Sequence, residues 1–168
     1  AVTYVFVAAI VLSFRRSFDR EHHLAARDRM TDALNKETFR ERVIHRLDLA
    51  VPARQSFLLA ILDLDDFKGI NNRHGHVAGD EVLRAFAQGA RKTIRREDDF
   101  GRIGGDEFAF LLPVHSAEEG VYFARLLHKR LSSVLADTPH PVTCSMGALL
   151  ISPDTPRDEP SLMHAVDQ

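Results

Sequence analysis

Residues 57–62, FLLAIL, are six apolar positions in a row, and the run closes in the acids Asp63 and Asp65. An unbroken apolar run of this length predicts a buried central strand. Upstream, Phe39, Val43 and Leu47 recur at helical spacing in KETFRERVIHRLDLA. Asn35 suits the N-cap of that helix, and Pro52 is expected to end it. Downstream, EVLRAFAQGARKTI gathers Val82, Leu83, Phe86, Ala87 and Ala90 on one helical face. DDFGRI and EFAFLLPV then read as two short strands, and the GGD between them is a hairpin signal. AEEGVYFARLLHKRLSSVL is a second amphipathic helix, and VTCSMGALLIS is a last strand. Between the first strand and its helix, DFKGINNRHGHVAGD is polar and glycine-bearing, which predicts turn and short helix. This order predicts an α+β, two-layer fold: a split βαβ, ferredoxin-like arrangement with a mostly antiparallel sheet and helices on one face. The strand ending at Asp63 and the hairpin tip at Asp106 then become neighbours in the sheet centre.

The first residues follow another pattern. Ala1 to Phe14 carry no charge, and Arg15 and Arg16 follow at once. A spanning helix needs about 20 apolar residues, and the chain does not begin with Met. We read residues 1–14 as the inner end of a transmembrane helix, with the arginines at the cytoplasmic face. A signal peptide would place its basic residues before the apolar run. Residues 15–31 are charged and lack glycine and proline, which predicts a helical stalk leading to a domain over 32–168.

Composition adds limits. The 168 residues suit one domain with a full core, and 45% hydrophobic with 27% charged residues excludes wholesale disorder. The net charge of -2 gives no argument for binding a nucleic-acid polymer. The one cysteine, Cys144, lies in an apolar run and can form no internal disulfide.

The acids carry the chemistry. Side chains alternate along a strand, so Asp63 and Asp65 share a face, while Asp106 and Glu107 sit in the hairpin turn. Carboxylates brought together repel and raise one another's pKa. A hard divalent cation is the natural compensation, and magnesium favours a few carboxylates with phosphate oxygens and water. Gly104 and Gly105 would let the backbone turn sharply and leave room for a bulky ligand. From GGDE alone, a plain hairpin with an acidic loop explains the residues equally well. In the second polar stretch, Lys68 can offset phosphate charge. Asn71 and Asp80 offer an amide and a carboxylate, a pair suited to the edge of guanine, and each also suits a turn or helix cap.

Together these stretches form a recognisable pattern. Through DRMTDALN, DLDDFKGINNRHGHVAGDEVL, RREDDFGRIGGDEF and VTCSMG, the chain resembles the GGDEF-domain family, the diguanylate cyclases, from about Asp28 to its last residue. The resemblance implies a palm-like fold that condenses two GTP into cyclic di-GMP and pyrophosphate. Each subunit would hold one GTP, so a homodimer is implied. Asp63 and Asp106 would ligate magnesium, or manganese in its place, by carboxylate, and Leu64 by its carbonyl. Asn71, His76 and Asp80 match substrate-binding positions. Lys68 matches the residue that stabilises the transition state, and Asp106 the acceptor of the 3′-hydroxyl proton, with Glu107 beside it in the catalytic motif. Arg95 and Asp98 match the RxxD inhibitory site for cyclic di-GMP, although RxxD by itself also fits a surface charge pair. Arginine is suited to the O6 and N7 edge of guanine.

The chain departs from the family pattern in places. Asp32 stands where LTGLPN carries glycine, and Asn72 where IND carries aspartate. The sequence stops at AVDQ, before the family's Lys and Arg for the terminal phosphates, so the domain is expected to be C-terminally incomplete. The expected protein is a membrane-tethered cyclase of the bacterial inner membrane, with its domain in the cytoplasm. A nucleotide receptor without turnover and a dimeric signalling relay are the alternatives from other classes.

Overall fold

The computed structural model describes residues 26–153. Four helices and five strands run in the order β1 (Leu34–Asn35), α1 (Lys36–Ala53), β2 (Ser56–Leu64), α2 (Phe67–His74), α3 (His76–Thr93), β3 (Asp99–Arg102), β4 (Glu107–Val114), α4 (Ala117–Ala136) and β5 (Cys144–Ile151). They form one sheet of order β1-β3-β4-β2-β5, antiparallel except for the short β1–β3 pair. Strands β2 to β5 with α3 and α4 reproduce the expected split βαβ arrangement. The apolar segment 1–14, residues 15–25 of the expected stalk, and residues 154–168 lie outside the described residues. Residues 26–31 form a bend and turns rather than helix, and Arg27 bridges to Leu34. Among the described residues, no helix is long and apolar enough to cross a membrane.

Helices cover both faces of the sheet, not one as the element order predicted. Leu58, Ala60, Leu62 and Leu64 of β2, with Phe108, Phe110 and Leu112 of β4, pack against Val82, Phe86 and Ala90 of α3 and Leu127, Leu131 and Leu135 of α4. The alternate residues Phe57 and Leu59, with Ala109 and Leu111, pack against Phe39, Val43 and Leu47 of α1. That explains why β2 and β4 read as continuous apolar runs: both faces of their apolar stretches, 57–62 and 108–112, are covered by helices. The α1–sheet contact is close. A Cβ on Gly101 of β3 would lie 2.7 Å from the Phe39 ring.

Local signals set the helix ends. Asn35 caps α1, its Oδ1 accepting from the Thr38 amide at 2.8 Å. Pro52 does not end that helix. It sits in the last turn, where its missing N–H forfeits a single bond, and the chain leaves at Arg54 in the left-handed conformation (φ 48). Ser116 caps α4 by accepting from the Glu119 amide. Asp32, at the position where the family pattern has glycine, has φ 55. Aspartate is among the few residues that tolerate this left-handed region.

Candidate active site

The end of β2 and the β3–β4 hairpin meet as the sequence predicted. Asp63 lies opposite Glu107 on β4 and opposite Ser145 on β5. One residue on, the Leu64 amide donates to the Asp106 carbonyl at 3.2 Å. Leu62 and Leu64 face the core, which leaves Asp63 exposed on the other side of the pleat. Among the described residues, nothing donates a hydrogen bond to the Asp63 carboxylate and no cation pairs with it. Partial burial pushes its pKa up, and the negative charges of Asp106, Glu107 and Asp65 push it further in the same direction. This is an anionic cluster lacking its counter-charge.

Asp65 behaves differently, although the two share a face. Its Oδ2 accepts from the Thr143 hydroxyl at 2.6 Å and its Oδ1 from the Ser145 hydroxyl at 2.8 Å. Those bonds hold its pKa below the ordinary value. Residues Thr143 and Ser145 escaped the reading of the sequence. They lie 78 and 80 positions away, and only the β2–β5 register brings them to Asp65.

The hairpin's glycines meet one half of the expectation: Gly105 leaves room, but neither Gly104 nor Gly105 takes a positive φ. The only glycine with positive φ among the described residues is Gly75, between α2 and α3. A Cβ on Gly104 would meet the Glu107 carboxylate, which is free to swing aside. Around Gly105 a Cβ would meet nothing within 4 Å. Its main chain is therefore open to a large ligand. Arg102 holds the turn. Its Nε and Nη2 donate to the Gly105 carbonyl at 3.1 and 2.6 Å, while Nη1 donates to Asp28 at 3.1 Å. Burial would raise the pKa of Asp28, but hydrogen bonds from Thr31 and Arg102 outweigh it and leave the group below its usual value.

The candidate nucleotide residues follow directly on β2. Lys68 is exposed in the first turn of α2. Asn71, near the end of α2, lies against Gly79, where a Cβ would collide with its amide oxygen. Asp80 is the next residue along α3 and pairs with Arg84 at 3.5 Å. His76 is exposed in the first turn of α3 and makes no hydrogen bond or ion pair among the described residues.

A divalent cation fits the carboxylate end. The available donors are all oxygen, carry excess negative charge and stand beside an open backbone turn. Among the described residues, no three His, Cys, Asp or Glu side chains converge into a complete metal cage.

Arg95 and Asp98 lie elsewhere, at the turn from α3 into β3. The Asp98 carboxylate, 1% exposed, accepts from the Arg95 backbone at 2.7 Å and from its guanidinium at 3.2 Å. That guanidinium also donates to the Pro113 carbonyl at 3.0 Å and lies over the Phe123 ring at 5.0 Å. Pro113 and Glu107 are at opposite ends of β4, so the two sites are about 20 Å apart at ~3.3 Å per strand residue. Arg42, Arg91, Arg95 and Arg96, with Asp98 and Asp99, line a cavity of about 450 Å³ here.

Comparison with known proteins agrees with the fold. A family model described as diguanylate cyclase, GGDEF domain, matches residues 25–168. The chain is 35% identical over 142 residues to diguanylate cyclase DgcP of Pseudomonas aeruginosa, covering 80% of this chain but 21% of that protein. The chain thus spans about a fifth of this relative's length. The fold is similar to that of a sensory box/GGDEF family protein from Caulobacter crescentus, with a TM-score of 0.72, 28% identity, and coverage of 85% of this chain and 94% of that one. It is also similar to a microbial GGDEF domain whose structure describes an interaction mode with cyclic di-GMP. There the TM-score is 0.68 and the identity 30%, with 85% of this chain and 86% of that one covered. The family match takes in all of the fold described above, and the chain therefore belongs to the GGDEF-domain family of diguanylate cyclases.

Proposed function

We propose that the chain condenses two GTP molecules into cyclic di-GMP with release of pyrophosphate. The observation that carries this reading is the Asp63–Asp106–Glu107 cluster, uncompensated beside an open hairpin turn. Asp63 and Asp106, with the Leu64 carbonyl, are the residues that would hold a magnesium ion. A metal held there would supply charge neutralisation at the triphosphate and at the attacking and leaving oxygens. Lys68 adds a mobile positive charge near the phosphates. Asn71 and Asp80 read the guanine edge, and His76 borders the nucleotide. Asp106 accepts the proton of the attacking 3′-hydroxyl, and Glu107 helps to hold the turn and its charge. Each chain holds one GTP, so turnover requires two chains facing each other.

Cyclic di-GMP also binds at Arg95 and Asp98 and restrains turnover. An arginine–guanine contact of this kind contributes about 1–3 kcal/mol. Arg95→Ala is therefore expected to raise the product concentration that gives half inhibition by about tenfold or more. An unchanged inhibition curve removes this site from the account. The apolar run 1–14 with Arg15 and Arg16 supports tethering at the cytoplasmic face of the bacterial inner membrane.

The direct test is incubation with GTP and magnesium, followed by chromatography of the products. Cyclic di-GMP with pyrophosphate is the expected outcome. No product, together with a thermal stabilisation by cyclic di-GMP, would replace the cyclase with a receptor that reads the dinucleotide through Arg95.

A further inference from the structure

We propose that Asp65 is a positioning residue for the metal-holding end of β2, acting through a clasp with Thr143 and Ser145. The inference rests on the cyclase reading and extends it to residues that touch neither metal nor nucleotide. It starts from the turn between β2 and α2. Asp66 there is left-handed (φ 53, ψ 30). A non-glycine residue takes that conformation at a cost, and it persists only where the surroundings hold it.

The surroundings are specific. The Asp65 amide donates to the Thr143 carbonyl at 2.9 Å. The hydroxyls of Thr143 and Ser145 each donate to one Asp65 carboxylate oxygen. Arg73 pairs with Asp66 at 3.0 Å from the far end of α2. Both Asp65 oxygens are therefore engaged by protein, which argues for a supporting role rather than a ligating one. What they support is the adjoining chain. Leu64, with the carbonyl assigned to the metal, precedes Asp65, and Lys68 follows three residues later. Ser145 is the residue opposite Asp63 in the β2–β5 register. The end of β5 thus sets where β2 stops, and with it the spacing between Asp63, the Leu64 carbonyl and the Asp106 hairpin.

Groups that orient metal ligands in this way typically change metal affinity by about 10–100-fold when removed. The test is a magnesium titration of the full chain with a non-reactive GTP analogue, read as thermal stabilisation. Asp65→Asn, and the Thr143→Val/Ser145→Ala pair, are each expected to raise half-saturating magnesium about tenfold. Combining them should add little, because they break one clasp. Thr143→Ser, which keeps the hydroxyl, is expected to titrate like the wild type. Variants that titrate like the wild type would overturn the clasp and leave the cyclase reading standing. A changed melting temperature with an unchanged magnesium half-point would also overturn it, because that marks a merely structural role. A wild-type chain that shows no magnesium-dependent stabilisation would remove the cyclase reading and the clasp together.

Discussion

Asp63→Asn is expected to reduce cyclic di-GMP synthesis at least about 10²–10³-fold, the scale of losing a preorganised group that stabilises developing charge. In the absence of metal, the same variant is expected to be more stable than the wild type at neutral pH. Both effects have one origin. Burial and three neighbouring carboxylates raise the native pKa of Asp63 above 3.8. At neutral pH the group is ionised in both states, and the folded state alone bears the repulsion. As the pH falls through the raised native value, the folded chain takes up the proton first and the penalty shrinks. It vanishes below 3.8, where the carboxyl is neutral in both states. The stability gain of the asparagine variant should therefore be full above the native pKa and disappear in acid. Magnesium with nucleotide should reverse the order by stabilising only the wild type. Thermal melts across pH, with and without the ligands, measure all of this. An asparagine variant that is less stable at pH 7 and still active would remove Asp63 from the site.

The largest expected loss of stability is at Phe108, the residue after Glu107 in the hairpin strand. It is fully buried, with its ring 4.7 Å from that of Phe86 on α3 and 5.7 Å from that of Phe100 on β3. Phe108→Ala removes both aromatic contacts and opens a cavity in the larger core. Such substitutions cost about 3–5 kcal/mol, a large share of the roughly 5–15 kcal/mol that holds a typical domain together. For a domain of this size, that corresponds to a drop of about 10–20 °C in melting temperature. Circular dichroism melts check it. A drop of a few degrees would mean that α3 collapses into the gap.

The elements were legible because their signals are local. The hydrophobic face of α3, the Asn35 cap and the two apolar strands around GGD each occupy a few consecutive residues. Placement beyond that depends on the sheet. The run at 57–62 revealed burial but not that α1 supplies the second cover. That follows from which alternate residues meet Phe39 and Val43. Pro52 was misread as a stop because the cost of a proline depends on how much helix remains after it. In the site, crowding of Asp63, Asp106 and Glu107 shows in the sequence, but their roles came from the resemblance to the GGDEF family. The hydroxyls that separate the role of Asp65 from that of Asp63 do not show there. Threonine and serine near the start of a strand look ordinary until the register between β2 and β5 is known.

The placement of Arg95 and Asp98 at the far end of β4 has a kinetic consequence. A ligand held there cannot occupy the space of a nucleotide near Asp63, so raising the GTP concentration cannot displace it. Inhibition through Arg95 should lower the maximal rate at saturating GTP, in the noncompetitive pattern. The intervening strands are packed on both faces and resist deformation. On the proposed reading, such a ligand would act by restraining how two domains are oriented toward each other, and both chains would share that restraint even with only one carboxylate cluster loaded.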